Sequence, residues 1–182
     1  MKNTEVSISV VLYKNRPEEI NKVVSCAIES LAQHIYVIDN SPTDDLKKVV
    51  VPLSEKIIYI YGQGNVGFGA GHNIALRKSI EQNAQYHLVL NPDIEFQADV
   101  LPQLQLFMEE NPNVGLVMPK IVYPNGDIQY LCKLLPTPFD WIFRRFCPFK
   151  SIIADPTTPA FEAPASLFSL YKSKYSWMVL FG

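Results

Sequence analysis

This 182-residue chain is poor in the residues that build most metal and redox sites. Its 3 cysteines, Cys26, Cys132 and Cys147, have no metal-like or redox spacing, and its 3 histidines form no pair of ligands. An odd number of such thiols favours a reducing compartment, and so a cytoplasmic protein. The net charge of -2 excludes a general electrostatic attraction to nucleic acid, so we expect no nucleic-acid partner.

The sequence also lacks two features of secreted and membrane proteins. Residues 1–13 enter a strand pattern directly, without the charged and apolar regions of a cleavable signal. No uninterrupted apolar run is long enough to span a bilayer. A peripheral place at the inner face of the membrane stays open, because residues 141–150 interleave aromatic side chains with three cations. The alternative is that these aromatics cover a sheet edge.

Glycine is scarce, but five of the 8 glycines lie in residues 62–73, GQGNVGFGAGHN, which we name the glycine loop. A β-branched run precedes it, and the helical pattern of residues 74–83 follows it. Backbone N–H groups in such a loop can approach an anion closely, which predicts a phosphate site; a flexible connection is the alternative. Residues 62–67 also spell G-x-G-x-x-G. Because they follow the third strand and we predict poor helix over residues 68–71, we do not interpret them as an NAD site.

The hydrophobic pattern predicts strands that alternate with helices. The predicted strands are 6–13, 35–38, 57–61, 86–90 and 114–122, and the predicted helices are 17–33, 44–53, 74–83 and 99–110. This alternation is typical of the α/β class, with a mostly parallel, Rossmann-like sheet and helices on both faces. No clear period follows residue 130. We therefore predict a ligand-binding domain over residues 1–130 and an irregular segment over 131–182.

Polar residues follow the second and fourth strands, at residues 39–41 and 91–93. Ligands of parallel sheets bind beyond the carboxyl ends of the strands, so we expect both clusters and the glycine loop to meet in one crevice. Asp39 suits a contact to a base or ribose, and equally a helix cap or turn. Asp93 suits a Mg²⁺ or Mn²⁺ ligand beside a phosphate, or a turn aspartate. His72 suits a polar loop residue better than a phosphate contact.

Five segments, in this order along the chain, carry a family resemblance: VSISVVLYKNRPEEI, YVIDNSPTD, GNVGFGAGHNIAL, LVLNPDIEF and VGLVMPKIVYPNGDIQ. Together they resemble family-2 glycosyltransferases of the rhamnosyltransferase-like branch, over residues 6–129. The resemblance implies the GT-A fold and inverting transfer of a sugar from a nucleoside-diphosphate donor, with dTDP-rhamnose as a candidate. It also implies a glycan or lipid-linked glycan acceptor in surface polysaccharide synthesis.

The resemblance implies roles for individual residues as well. Tyr13 lies beside the nucleotide base, and Asp39 binds the base or ribose. Asp93 holds Mg²⁺ or Mn²⁺ on the diphosphate, and Asn91 stands where the metal motif of the family begins with an aspartate, which implies weaker metal binding. The other predicted donor-site residues are Asn40, Asn65, Gly67, Gly69 and Asn73.

The sequence departs from the family at its C-terminal end. It has neither the phenylalanine-aspartate-glutamate run nor the acidic motif that supplies the general base, so the catalytic base is not predicted. We expect an aberrant or truncated acceptor-side segment, and the alternative function is a nucleotide-sugar-binding remnant without catalysis. The acidic residues after the fifth predicted strand are Asp127, Asp140, Asp155 and Glu162.

Overall fold

Strands and helices alternate through the first part of the chain, as the hydrophobic pattern predicts. The computed structural model describes residues 5–119, 121–123, 125, 127–129, 170–172 and 178–181. The longer strands are β1 (Val6–Leu12), β2 (His34–Asp39), β3 (Ile57–Tyr61) and β4 (Tyr86–Leu90). The helices are α1 (Pro17–Glu29), α2 (Lys47–Val50, continued by a 3-10 turn over Val51–Leu53), α3 (Phe68–Glu81) and α4 (Val100–Glu110). The shorter strands are β5 (Ile94–Glu95), β6 (Leu116–Val117), β7 (Ile121–Val122), β8 (Ile128–Gln129), β9 (Leu170–Lys172) and β10 (Met178–Phe181).

The main sheet has the strand order β3-β2-β1-β4-β10-β6. Its first four strands are parallel, and β10 is antiparallel to both β4 and β6. A smaller sheet has the order β5-β9-β7-β8. The predicted α/β class, with a mostly parallel sheet, is confirmed. Parallel strands need crossover helices, and these cover both faces of the sheet.

Strand β1 shows how differently the two faces are built. Every residue of β1 is buried, as the prediction of a strand covered on both sides requires. Its side chains alternate between the faces. Val6, Ile8 and Val10 join a large apolar cluster with α1 and α4. Ser7 and Ser9 are also buried, on the face that α3 covers.

Helix α3 begins earlier than its sequence pattern predicts. Its first residue is Phe68, so the prediction of poor helix over residues 68–71 is wrong. Intrinsic propensity is a weak guide where tertiary packing decides, and here Gly71 lets the helix approach β1 closely. The helix therefore follows the third glycine of the G-x-G-x-x-G pattern directly, and only the position after β3 still argues against an NAD site.

Two other differences between the predicted elements and the structure have a clear local cause. The strand predicted over residues 114–122 is wrong, because β6 and β7 are separate strands in different sheets. Pro119 lies between them and has no N–H group to donate to a ladder. Helix α1 ends at Glu29 rather than at residue 33, since the Ser30 side chain donates a 2.6 Å hydrogen bond to Ala27 O and the chain turns.

The segment after residue 130, in which no period was recognised, contributes β9 and β10. Strand β10 pairs with β4 inside the main sheet. Strands of three or four residues are too short to reveal a period, which is why the sequence pattern missed them. The described residues do not include residues 141–150, Asp140, Asp155 and Glu162. The domain boundary and the roles of these three acidic residues therefore stay predictions. Within the described ranges, no helix combines the length and apolar composition that crossing a bilayer requires.

Candidate functional site

An open cavity of about 470 Å³ lies beyond the carboxyl ends of β1 and β4 and beside the start of α3. We name it the strand-end cavity. Each of the three polar clusters singled out in the sequence contributes at least one side chain to it. The residues that line it are Val11, Tyr13, Asn15, Asn40, Asn65, Phe68, Asn91, Pro92 and Asp93.

The turn after β1 supplies one wall of the cavity. Tyr13 N donates a 2.8 Å hydrogen bond to Asn15 Oδ1, and Lys14 N donates a 2.9 Å bond to Ser41 Oγ. The second bond fastens this turn to the turn after β2. Lys14 adopts the left-handed region with φ 55°, which reverses the chain there. The turn thus holds the exposed Tyr13 ring and the Asn15 side chain at the cavity.

The Asn40 side chain connects the end of β2 to the glycine loop. Its Nδ2 donates to Gly67 O at 3.2 Å. Gln63 Nε2 donates to Asn40 Oδ1 at 3.1 Å and to Asp39 O at 2.9 Å. Since Asn40 is buried and bonded at both ends of its amide, its position in the cavity wall is fixed.

The N-terminus of α3 depends on two glycines. Gly67 caps the helix with φ 84°, a conformation that side chains rarely adopt, and its N–H donates to Asn65 Oδ1 at 3.1 Å. A Cβ atom on Gly71 would lie 2.9 Å from Val11 Cγ2 and 3.0 Å from Val11 Cγ1. Glycine at position 71 therefore allows α3 to pack directly on β1.

Asp39 lies below the surface of the site. Only 1% of it is exposed, and it does not line the strand-end cavity. Its Oδ1 accepts a 2.8 Å bond from Ser41 N, and its Oδ2 accepts a hydrogen bond from Tyr59 Oη. Burial, followed by this bond to Asp39, raises the pKa of Tyr59. The structure shows the turn role of Asp39, and its contact to a base or ribose stays a prediction.

Asn91, Pro92 and Asp93 follow β4 and form the opposite wall. Asp93 is half-buried, and it also borders a second cavity of about 510 Å³ between α1 and β5, where Lys22 and Glu95 form an exposed ion pair of 3.0 Å. No group of three or more His, Cys, Asp or Glu side chains in the described part of the chain is placed to hold a metal ion. A cation at Asp93 would therefore need oxygen ligands from a substrate.

The structure separates the predicted site residues into two sets. Tyr13, Asn40, Asn65, Asn91 and Asp93 line the strand-end cavity, whereas the predicted residues outside its lining are Asp39, Gly67, Gly69 and Asn73. Sequence reasoning missed four lining residues, which are Val11, Asn15, Phe68 and Pro92. Val11 and Phe68 are apolar side chains that no polar motif marks, while Asn15 lies two positions after Tyr13 and Pro92 lies inside the cluster of residues 91–93.

A buried row of hydrogen bonds, which we name the serine–histidine chain, joins α3 to β1 and β4. Ser79 Oγ and Ser7 Oγ are 2.6 Å apart, and Ser7 Oγ is 2.7 Å from His87 Nδ1. Ser9 Oγ lies 2.7 Å from His87 Nε2 and 2.7 Å from His72 Nδ1. The chain therefore runs along the face of the sheet that α3 covers and ends one turn of helix from the cavity.

His72 is a buried residue of α3, so the prediction that it is a polar loop residue is wrong. Its ring meets the ring of Phe68, which lines the cavity, at a centroid distance of 4.4 Å and in an edge-to-face arrangement. Burial lowers the pKa of His72 to about 4. Burial, and then the charge of His72, lower the pKa of His87 to about 3. Both rings are therefore neutral at pH 7.

A comparison with known protein families finds a match over most of the chain. The sequence profile of the family described as Glycosyl transferase family 2 matches residues 8–169, which extends beyond the residues 6–129 that carry the resemblance. The low-salt glycan biosynthesis hexosyltransferase Agl10 of Haloferax volcanii is 30% identical over 141 residues, which are 77% of this chain and 43% of that protein. The chain thus spans less than half the length of this curated relative.

Two solved structures of S. aureus TarS have a similar fold. One superposes with a TM-score of 0.57 at 17% identity and covers 70% of this chain and 23% of the other. The second, of TarS residues 1-349, gives a TM-score of 0.56 at 17% identity and covers 71% of this chain and 38% of the other. At this identity, the likeness shows the fold.

Proposed function

Because the chain belongs to glycosyl transferase family 2, we propose that it takes part in transferring a sugar from a nucleoside-diphosphate donor to a glycan. The fold is α/β of the GT-A type, and the strand-end cavity receives the nucleotide and its diphosphate. The Agl10 relative, by its name a hexosyltransferase of glycan biosynthesis, supports a hexose as the sugar and a glycan as the acceptor. Rhamnose, an inverting reaction and a lipid-linked acceptor in surface polysaccharide synthesis are the finer parts of the proposal.

One observation carries this proposal. The cavity lies at the carboxyl ends of parallel strands, where ligands of such sheets bind, and it combines a carboxylate with several amide side chains. The exposed aromatic ring of Tyr13 supplies a surface on which a base can stack. The amides of Asn40, Asn65 and Asn91 provide donors and acceptors for ribose and phosphate oxygens.

The donor set also fits the divalent cation that we propose. Mg²⁺ and Mn²⁺ prefer oxygen ligands and commonly combine one or two carboxylates with substrate phosphates. Asp93 offers that carboxylate, and Asn91 adds an amide oxygen nearby. When bound, the cation would neutralise the charge of the departing diphosphate. The part of this chain is then to hold the donor between Tyr13, Asn40 and Asp93 and to shape the cavity around it.

A titration with nucleoside diphosphates tests the proposal. Calorimetry of the purified chain with UDP, dTDP and GDP, with and without Mn²⁺, should give metal-dependent binding of at least one of them. Asp93→Asn should weaken the metal-dependent binding about tenfold or more, since it removes a charge beside the diphosphate. Asp99→Asn is the matched control, because Asp99 is an exposed aspartate that lines neither cavity.

The result also decides between the two functions that the sequence left open. Binding of the nucleotide together with product formation on a membrane extract would support a transferase. Binding without product would favour a nucleotide-sugar-binding chain that lacks a general base. Equal affinity of the Asp93→Asn and Asp99→Asn variants for the nucleotide would contradict the assignment of the metal site.

A further inference from the structure

The serine–histidine chain has a strict proton balance. Its five neutral groups, the hydroxyls of Ser7, Ser9 and Ser79 and the imidazoles of His72 and His87, carry one mobile proton each. Four hydrogen bonds connect them. Each bond needs one proton, and each group has only one to give. Four of the five protons therefore make the bonds, and one proton is left over.

Four arrangements make all four bonds, and they differ in which of Ser7, Ser9, Ser79 and His72 holds the spare proton. In the first arrangement the bonds run from Ser79 through Ser7, His87 and Ser9 to His72, and both rings carry their proton on Nε2. In the other three the spare proton is on a serine hydroxyl, and His72 donates to Ser9 from Nδ1. The tautomer of His72 therefore distinguishes the first arrangement from the rest.

The surroundings of the groups that could hold the spare proton favour the first arrangement. Among the described residues, His72 Nε2 has no hydrogen-bond partner, but the His72 ring lies edge-to-face with Phe68 at 4.4 Å. An aromatic face can accept an N–H group in such a geometry. Each of the other three would leave a bare His72 Nε2. Each would also leave the proton of a buried serine hydroxyl without an acceptor, because the described residues give Ser7, Ser9 and Ser79 no partner outside the chain.

We infer that the chain is directed from Ser79 to His72, and that His72 is a positioning residue that fixes the start of α3 and the Phe68 ring at the wall of the strand-end cavity. Helix α3 buries little apolar surface against the sheet, because its buried residues are Gly71, His72, Ala75 and Ser79. Hydrogen bonds have preferred lengths and angles, so they fix the place of a helix more sharply than apolar contact alone. This inference rests on the proposed function only for its effect on nucleotide binding.

The tautomers give a test that needs no ligand. Long-range ¹H–¹⁵N spectra of the ¹⁵N-labelled protein at pH 7 report which ring nitrogen carries the proton. We expect both His72 and His87 to carry it on Nε2. A proton on Nδ1 of His72 would overturn the direction of the chain, and a proton on Nδ1 of His87 together with one on Nε2 of His72 would overturn the chain itself.

A pair of serine variants tests the positioning role. Ser9→Ala removes the hydroxyl that contacts both histidines. Ser30→Ala is the control, because Ser30 is also buried and its hydroxyl also makes two hydrogen bonds, with Ala27 O and Ala32 N at the end of α1. Ser9→Ala should speed amide exchange over residues 68–72 and weaken binding of UDP with Mn²⁺ about threefold to tenfold. Ser30→Ala should change neither.

The two readouts separate the possible failures. If the unmodified protein binds no nucleoside diphosphate, the proposed function fails, and amide exchange alone still decides the positioning role. If Ser9→Ala and Ser30→Ala change exchange over residues 68–72 equally, the serine–histidine chain is structural only and the inference is overturned.

Discussion

The two faces of the main sheet are held by different forces. On one face, α1 and α4 bury a large cluster of aliphatic side chains against β1, β2 and β4. On the other face, α3 shares only a small apolar cluster with the sheet and adds the serine–histidine chain to it. The buried residues of the small cluster are Val11, Tyr36, Ile38 and Ala75.

Apolar burial and hydrogen bonding contribute to a fold in different ways. Apolar burial scales with area and has no preferred direction, so it stabilises the fold without fixing the place of any one atom. Hydrogen bonds contribute less net free energy each, but they require a particular geometry. The face that borders the strand-end cavity is the one built from hydrogen bonds. We therefore expect the α1 and α4 face to set stability and the α3 face to set the shape of the cavity.

The largest effect on stability should come from the apolar face. Leu104 is fully buried in α4, and Leu104→Ala should lower the free energy of unfolding by about 2–5 kcal/mol, because it leaves a cavity in the core. Urea unfolding measures this loss. Affinity for UDP with Mn²⁺ should stay unchanged under conditions where the variant is folded. A parallel loss of affinity would remove the distinction between the two faces.

The polar face should make stability depend on pH. In the unfolded chain His72 and His87 have their ordinary pKa of 6.5, while in the folded protein the values are about 4 and about 3. Below pH 6.5 the unfolded chain therefore binds more protons, so the free energy of unfolding falls as the pH falls towards 4. Each ring contributes at most about 1.4 kcal/mol per pH unit to this slope.

A variant with one ring removed sharpens this test. His87→Gln keeps a polar side chain that does not titrate. It should reduce the slope of the free energy of unfolding against pH by the contribution of one titrating ring, roughly 1.4 kcal/mol per pH unit. Urea unfolding at several pH values between 6.5 and 4 gives both slopes. An unchanged slope would show that His87 is not the buried neutral group that the structure describes.

The sequence predicts the apolar face well and the polar face poorly. Strands β3 and β4 have the predicted bounds, and α4 begins one residue from its predicted start, because regular apolar spacing follows the period of each element. Helix α3 is different, since its first turn contains two glycines, and one of them, Gly71, serves packing on β1. The bonds of the serine–histidine chain join residues 63 to 80 positions apart, a separation that no local pattern reveals.

The sequence also predicts only some of the residues of the candidate site. Polar residues at strand ends, such as Asn40 and Asp93, were predicted because side chains there can reach a ligand, and both line the cavity. Asp39 belongs to the same kind of cluster, but in the structure its carboxylate contacts Ser41 and Tyr59 below the cavity. The direction of one side chain depends on its tertiary partners, which composition and spacing do not contain. Val11 and Phe68 were missed because an apolar residue at a site looks like a core residue in sequence.

The smallest predicted change in stability comes from Gly71→Ala, a substitution that should clearly change the shape of the cavity. A methyl group on Gly71 would press on Val11 and lie 3.6 Å from Asn40 Nδ2, and both of these residues line the cavity. The better helix propensity of alanine offsets much of the strain, so Gly71→Ala should alter stability by only about 1 kcal/mol. Gly115→Ala is the control, because a Cβ there would meet no atom within 4 Å and Gly115 lines neither cavity.

The affinity of Gly71→Ala for UDP with Mn²⁺, measured by calorimetry beside Gly115→Ala and Leu104→Ala, tests most directly whether the α3 face shapes the nucleotide site. We predict that Gly71→Ala weakens binding about tenfold while it stays nearly as stable as the unmodified protein, and that the other two variants bind normally. Normal binding by Gly71→Ala, or weakened binding in proportion to lost stability across the three variants, would contradict the account.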